Sequence, residues 1–71
     1  MKITYDPQAD ALYIQFKKTT VTTKHLAEGI AADYDSKGTL AGIEILDTVR
    51  RFGGNKDVFR TVTLEEIGLS A

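Results

Sequence analysis

The stretch that decides the fold is residues 30–46, Ile-Ala-Ala-Asp-Tyr-Asp-Ser-Lys-Gly-Thr-Leu-Ala-Gly-Ile-Glu-Ile-Leu. Two apolar segments flank Asp35-Ser36-Lys37-Gly38-Thr39, the strongest turn pattern in the chain. A type I turn with Gly38 in the left-handed conformation suits this order, because glycine has no Cβ to clash there. We therefore predict a β-hairpin in which Asp35 pairs with Thr39.

An uninterrupted register from this turn places Asp33 opposite Ala41 and Ala31 opposite Ile43. It leaves apolar side chains on both faces of the hairpin, and it puts Asp33 and Glu44 on opposite faces. A sheet with one solvated side alternates apolar and polar residues. Two partly apolar faces therefore predict that the C-terminal segment, a second subunit, or both cover the sheet.

Upstream of the hairpin, the sequence has the period of two that is typical of β-strands. Apolar residues alternate with polar ones before and after the turn-forming stretch 6–10, at Ile3 and Tyr5 and then at Leu12, Ile14 and Phe16. The threonine-rich residues 19–23 favour extended backbone, because branching at Cβ restricts χ1. We expect a second hairpin here, followed by a strand that continues to Leu26 and lies at an edge of the sheet.

Downstream of the hairpin, Asp47 is positioned to cap a helical turn over residues 48–52, which Gly53-Gly54 ends. Residues 55–62 fit a strand and a helical face equally well, and we expect them to be irregular or helical. Thr63 and Glu66 form a capping box for one further helical turn. The expected fold is α+β, a small antiparallel β-meander of four to five strands with one or two short C-terminal helices. The residues expected in its core are Ile3, Tyr5, Leu12, Ile14, Phe16, Ile30, Ile43, Ile45, Leu46 and Val49.

The composition excludes several classes of protein. The chain has 71 residues, which suits a single domain with a core of marginal size. It contains no cysteine for a disulfide, and its only histidine, His25, leaves a zinc site short of ligands. Nine basic and ten acidic side chains give a net charge of −1, which argues against a nucleic-acid binder. We expect neither a metal nor a cofactor.

Localisation and partners follow from what the sequence lacks. Its first residues, Met1-Lys2-Ile3-Thr4-Tyr5, become polar too soon for a signal peptide, and no apolar run is long enough to cross a bilayer. We expect a cytoplasmic protein with no membrane partner. The marginal core and the exposed edge strand predict a homodimer or a complex with a small protein.

Three residues are candidates for a functional site: Asp33, Glu44 and His25. Asp33 is the least explained, because a carboxylate among apolar neighbours must meet solvent, a donor or a cation. His25 titrates nearest to neutrality, yet the sequence offers it no nucleophile and no orienting partner. The remaining acidic residues are typical turn formers and helix caps. We therefore assign no catalytic, cofactor-binding or metal-binding residue.

Two motifs carry a resemblance to a known family. They are Tyr5-Asp6-Pro7-Gln8-Ala9-Asp10-Ala11-Leu12-Tyr13 and Gly42-Ile43-Glu44-Ile45-Leu46, with Gly29-Ile30, Asp33-Tyr34-Asp35 and Gly38 between them. Together they resemble the uncharacterised-domain family 2283, a group of short prokaryotic proteins. The resemblance covers residues 1–51, and residues 52–71 form an extension of the same single domain. It implies a small β-rich domain and an antitoxin-like partner of a small toxin.

The function most consistent with these features is a non-enzymatic protein-interaction module. The compact domain and the absence of a catalytic constellation in the sequence support it. The alternative is a small ligand-binding domain or enzyme, with Asp33, His25 or Glu44 lining a pocket between subunits.

Overall fold

The computed structural model describes residues 1–54 and 63–65, which form one antiparallel sheet and a short helix. The elements are β1 (Lys2–Asp6), β2 (Ala11–Gln15), β3 (Thr22–Ala27), β4 (Ile30–Tyr34), β5 (Leu40–Ile45) and α1 (Thr48–Arg51). The strands lie in the order β1-β2-β5-β4-β3, so β5 is central and the threonine-rich β3 is an edge, as predicted. The described part of the chain is mostly β. The segment 55–62 and the helical turn expected beyond Thr63 lie outside the described residues, apart from Thr63–Glu65, which have no regular secondary structure.

Aspartates close the two hairpin turns that the sequence predicts, at β1–β2 and β4–β5. The Asp6 carboxylate accepts a hydrogen bond from the backbone N–H of Gln8 at 2.9 Å. At the β4–β5 turn, the N–H of Asp35 donates to the Thr39 carbonyl at 2.9 Å, and Gly38 has a φ of 79°. The left-handed glycine and the pairing of Asp35 with Thr39 are therefore confirmed.

A β-bulge in β5 makes the expected register wrong beyond this turn. Tyr34 faces Leu40 as predicted, but Asp33 faces Gly42, so Ala41 is an extra residue with no paired residue on β4. A bulge of this kind inserts one residue into one strand of a pair. A one-residue slip moves every later side chain to the other face of the sheet. The expectation that both faces are partly apolar therefore fails.

The true register gives the sheet one apolar and one polar face, because directly paired residues share a face and successive residues alternate. We define the apolar face as Ile3 and Tyr5 of β1, Leu12 and Ile14 of β2, Ile43 and Ile45 of β5, Ile30 and Ala32 of β4, and Lys24 of β3. We define the polar face as Lys2 and Thr4 of β1, Tyr13 and Gln15 of β2, Gly42 and Glu44 of β5, Ala31 and Asp33 of β4, and Thr23 and His25 of β3.

The core prediction is largely wrong. Of the ten residues expected there, only Leu12 is buried, while Ile3, Phe16 and Leu46 are 37–40% exposed and the others half-buried. The buried positions are instead occupied by small side chains, namely Ala31, Ala32, Ala41, Gly42 and Thr48. In a single layer, neighbouring strands cover a short side chain completely, whereas a long one extends beyond them. The sheet alone therefore cannot bury its large aliphatic residues.

A short helix follows β5, as predicted, but Asp47 does not cap it. Asp47 has a left-handed φ of 51° and makes no side-chain capping hydrogen bond. The Asp10 carboxylate accepts instead from the N–H of Val49 at 3.1 Å, and the Asp10 carbonyl accepts from the N–H and hydroxyl of Thr48 at 3.2 and 2.9 Å. The β1–β2 turn thus caps α1 from outside the helix.

The last residue of α1 connects two further turns. The Arg51 guanidinium donates to the carbonyl of Leu46 at 2.8 Å and to that of Glu28 at 2.5 Å. It lies directly against Gly29, where a Cβ would come within 3.2 Å of the Arg51 Cζ. Because Gly29 also has a φ of 74°, this position suits only glycine. Asp10 and Arg51 thus hold α1 at one end of the sheet.

Candidate functional site

The apolar face carries almost no covering structure within residues 1–54 and 63–65. All extensive contacts between the described elements join neighbouring strands, and α1 lies at the end of the sheet. Thr63 and Leu64 reach only the β1 margin, where they and Ile3 help to line an open depression of about 480 Å³. Leu64 itself is 89% exposed. Contiguous apolar surface of this kind is typical of a docking site.

Among the residues that the structure describes, Lys24 is the only charged side chain that the register places on the apolar face. It belongs to β3 at the margin of the sheet, opposite Ala32. A lysine on an edge strand opposes edge-to-edge pairing with another chain, and the register shift between His25 and Ala27 has the same effect. Both features therefore protect the β3 edge against the addition of another strand.

The polar face is organised by one hydrogen-bond network that crosses the sheet. The Tyr13 hydroxyl donates to one oxygen of the Asp33 carboxylate at 2.7 Å, and the Thr23 hydroxyl donates to the other oxygen at 2.5 Å. Tyr13 reaches Asp33 by passing over Gly42, where a Cβ would lie only 2.7 Å from the Tyr13 Cζ. The network joins β2, β4 and β3, and the missing side chain on β5 makes room for it.

This network explains Asp33, which the sequence left unexplained. Each of its two carboxylate oxygens accepts a hydroxyl hydrogen bond, so the charge is satisfied at the surface of the sheet. The hydrogen bond to Asp33, with partial burial and the negative charge of Asp33, raises the pKa of Tyr13 to about 12. Tyr13 therefore holds its proton at neutral pH and acts as a donor, not as a base.

The three candidate residues all lie on the polar face. The expectation that Asp33 and Glu44 point to opposite faces is wrong, because the bulge at Ala41 returns Glu44 to the side of Asp33. His25 and Glu44 each pair with Ala31 from opposite sides. In the described part of the chain, no hydrogen bond joins either of them to Asp33. No three acidic or histidine side chains among the described residues converge as metal ligands would.

Sequence reasoning missed Tyr13, Asp10 and Thr48. A glycine inside a strand, as at Gly42, usually marks a bulge or the close approach of another group, and the group that approaches Gly42 is Tyr13. Tyr5 and Asp10 form a second hydrogen bond between a tyrosine and an aspartate, in which the Tyr5 hydroxyl donates to the Asp10 carboxylate at 2.6 Å. That hydrogen bond with Asp10 is the main reason that the pKa of Tyr5 is raised to about 12. The Tyr13–Asp33 and Tyr5–Asp10 hydrogen bonds stabilise the sheet. Because these polar side chains are used within the sheet, the apolar face is the candidate site.

Comparison with known proteins gives one match. The model of the family described as protein of unknown function (DUF2283) matches residues 2–48, which include all five strands and the first residue of α1. No curated protein and no solved structure matches the chain. No helix among the described residues is long and apolar enough to cross a membrane.

Proposed function

The chain belongs to the DUF2283 family, and we propose that it is a non-enzymatic protein-interaction module that binds an apolar surface of another polypeptide through its apolar face. The observation that carries this proposal is the separation of the two faces. Large aliphatic residues lie on one side, with only marginal cover from the described residues. Hydrogen-bonded polar groups lie on the other.

The energetics of the sheet support this role. Each aliphatic side chain that moves from water to a fully apolar environment contributes about 1.5–3 kcal/mol. Ile14, Ile43 and Ile45 are half-buried, so a partner that covered them would recover part of that energy. A small domain buries a smaller fraction of its surface than a large one, so it is only marginally stable without additional burial. Docking on the apolar face would therefore stabilise both the complex and the fold.

A ligand-binding or enzymatic site at a subunit interface has less support. Both oxygens of Asp33 already accept hydrogen bonds from the sheet itself, which occupy two of the roughly four acceptor positions of the carboxylate. His25 and Glu44 lie on the polar face, away from the surface that a partner would cover. These residues therefore serve solubility and strand pairing in our proposal. Cytoplasmic location fits the same proposal.

Site-specific photo-crosslinking in the native host tests this function. An aliphatic diazirine amino acid replaces Ile43 on the apolar face or, as the matched control, Glu44 on the polar face of the same strand. We expect a discrete polypeptide adduct from position 43 and none from position 44. A toxin-sized adduct would identify the antitoxin-like form of the function. Equal adducts from both positions, or none from either, would contradict the proposal.

A further inference from the structure

We propose that the occupant of the apolar face is a second copy of this chain, packed face to face so that two sheets form a symmetric sandwich. This inference rests on the proposed function and names its partner.

The face is too wide for a single helix. Five strands at a spacing of about 4.8 Å span about 24 Å, and five residues extend about 17 Å along a strand. A packed helix is about 10 Å wide, so it would cover two strands and leave the others in water. A second five-stranded sheet has the same width and the same twist, and aligned sheets pack about 10 Å apart.

The area approaches the lower range of specific dimer interfaces. The projected area of each face is about 400 Å², so two copies remove about 800 Å² before the relief of the side chains is counted. Protruding isoleucines raise the accessible area above this projection, towards the lower range of specific interfaces at about 1,200 Å². A homodimer interface is also more apolar than other interfaces, as this face is.

Charge does not oppose self-association. The net charge is −1, so two copies repel each other only weakly. Lys24 then selects the symmetry. A twofold axis across the strands would stack each β3 on its copy and bring two Lys24 side chains together. A twofold axis along β5 instead places β3 of one copy over β1 of the other, so that Lys24 lies at the margin near Ile3 of its partner. We infer the second arrangement.

The first test compares Ile3→Lys with Thr4→Lys by sedimentation equilibrium. The two positions are adjacent on β1, belong to opposite faces and are both exposed in the monomer, so each variant adds the same charge at little cost to folding. We expect a wild-type mass of twice 7.8 kDa. Ile3→Lys brings a lysine close to Lys24 of the partner and should raise the dimer dissociation constant by about 100-fold or more. Thr4→Lys should leave it unchanged.

The second test needs no destabilising charge. The chain has no cysteine, so Ile43→Cys or Glu44→Cys introduces a unique thiol. With the axis along β5, a short bismaleimide should link Ile43→Cys into a covalent dimer and leave Glu44→Cys monomeric. Circular dichroism confirms that each variant is folded.

The outcomes separate this inference from the proposed function. A monomeric wild type, or a dimer that Ile3→Lys and Thr4→Lys weaken equally, overturns the second copy as occupant. If the wild type is monomeric but position 43 still photo-crosslinks to another chain in the host, the proposed function stands with a different partner. A dimer linked through Glu44→Cys but not through Ile43→Cys overturns the face-to-face arrangement.

Discussion

Replacing Gly42 by alanine should destabilise the sheet, because the added methyl group occupies the path of Tyr13 across β5. The new Cβ would lie 2.7 Å from the Tyr13 Cζ, closer still to its hydroxyl, and 3.0 Å from the Ile14 carbonyl oxygen. Carbon atoms in contact are normally about 3.5–4.0 Å apart. The Tyr13 ring must therefore swing away, and its 2.7 Å hydrogen bond to Asp33 is lost.

The magnitude follows from three contributions. A hydrogen bond to a charged group contributes about 1.5–3 kcal/mol, and the lower end applies to this half-exposed site. Overpacking adds about 1–3 kcal/mol, and alanine recovers about 0.5–1 kcal/mol relative to glycine in a strand. We expect Gly42→Ala to lower the free energy of unfolding by about 2–3 kcal/mol.

A double-mutant cycle measured by urea unfolding tests this reasoning, at fixed protein concentration so that self-association does not alter the comparison. In a Tyr13→Val background the phenol ring is absent, and only the Ile14 carbonyl crowds the new methyl group. The cost of Gly42→Ala should then fall by about 2 kcal/mol. An equal cost in both backgrounds would refute the clash with Tyr13 as its cause.

The Tyr13 pKa gives an independent measure of the same contact. The hydrogen bond to Asp33 raises this pKa to about 12, so its contribution to stability is present below the unfolded value of 10 and is lost as pH rises through about 12. With the other tyrosines replaced by phenylalanine, Asp33→Asn and Gly42→Ala should both move the phenol titration towards 10. A titration that stays near 12 in Asp33→Asn would show that Asp33 is not the cause, and one that stays near 12 in Gly42→Ala would show that the methyl group does not displace Tyr13.

Three further predictions concern the ends of the sheet. Asp10 and Asp47 both have left-handed backbone, so Asp10→Gly and Asp47→Gly remove equivalent side chains without strain. Urea unfolding should show Asp10→Gly to be about 2 kcal/mol the less stable variant. The Asp10 carboxylate accepts hydrogen bonds from Tyr5 and Val49, whereas within residues 1–54 and 63–65 the Asp47 carboxylate makes only an exposed ion pair. Thr48→Val should destabilise the fold by about 1–3 kcal/mol, and Thr48→Ser should destabilise it less, because serine retains the buried hydroxyl donor and valine does not. Equal unfolding midpoints for the two variants would contradict this. Hydrogen bonds from Lys17 and from backbone amides lower the pKa of Asp35. The stabilisation of the fold that results is present above the unfolded pKa of this carboxyl group and is lost as pH falls. Lys17→Gln should therefore raise the pKa of Asp35 in an NMR titration.

The strands and turns could be predicted from the sequence because their causes are local. The Asp35–Gly38 turn depends on a side chain that binds its own loop and on a glycine with positive φ. The alternation in β1 and β2 likewise identifies two strands without knowledge of their partners. The family could be identified for the same reason, because its two motifs, residues 5–13 and 42–46, lie within these strands and turns.

The long-range contacts could not be predicted from local patterns. Asp10 caps a helix that begins 38 residues later, and its sequence neighbours indicate only a turn. Tyr13 and Asp33 are 20 residues apart, and strand order alone brings them together. A glycine inside a strand indicates a close approach, yet identifying Tyr13 as the side chain that approaches Gly42 required knowing that β2 pairs with β5. The candidate site was missed for a related reason, because burial depends on layers that the sequence does not show.

The bulge at Ala41 connects this failure to the function. In the uninterrupted register, Asp33 would share a face with Ile43 and Ile45, and a carboxylate there would interrupt the apolar surface at a large desolvation cost. The extra residue moves Asp33 beside Gly42, where Tyr13 can reach it, and moves Ile43 opposite Ala32. The same insertion therefore creates the polar network on one side and a continuous apolar surface on the other. In our proposal a partner covers this surface, so the bulge is the local feature on which the proposed docking depends.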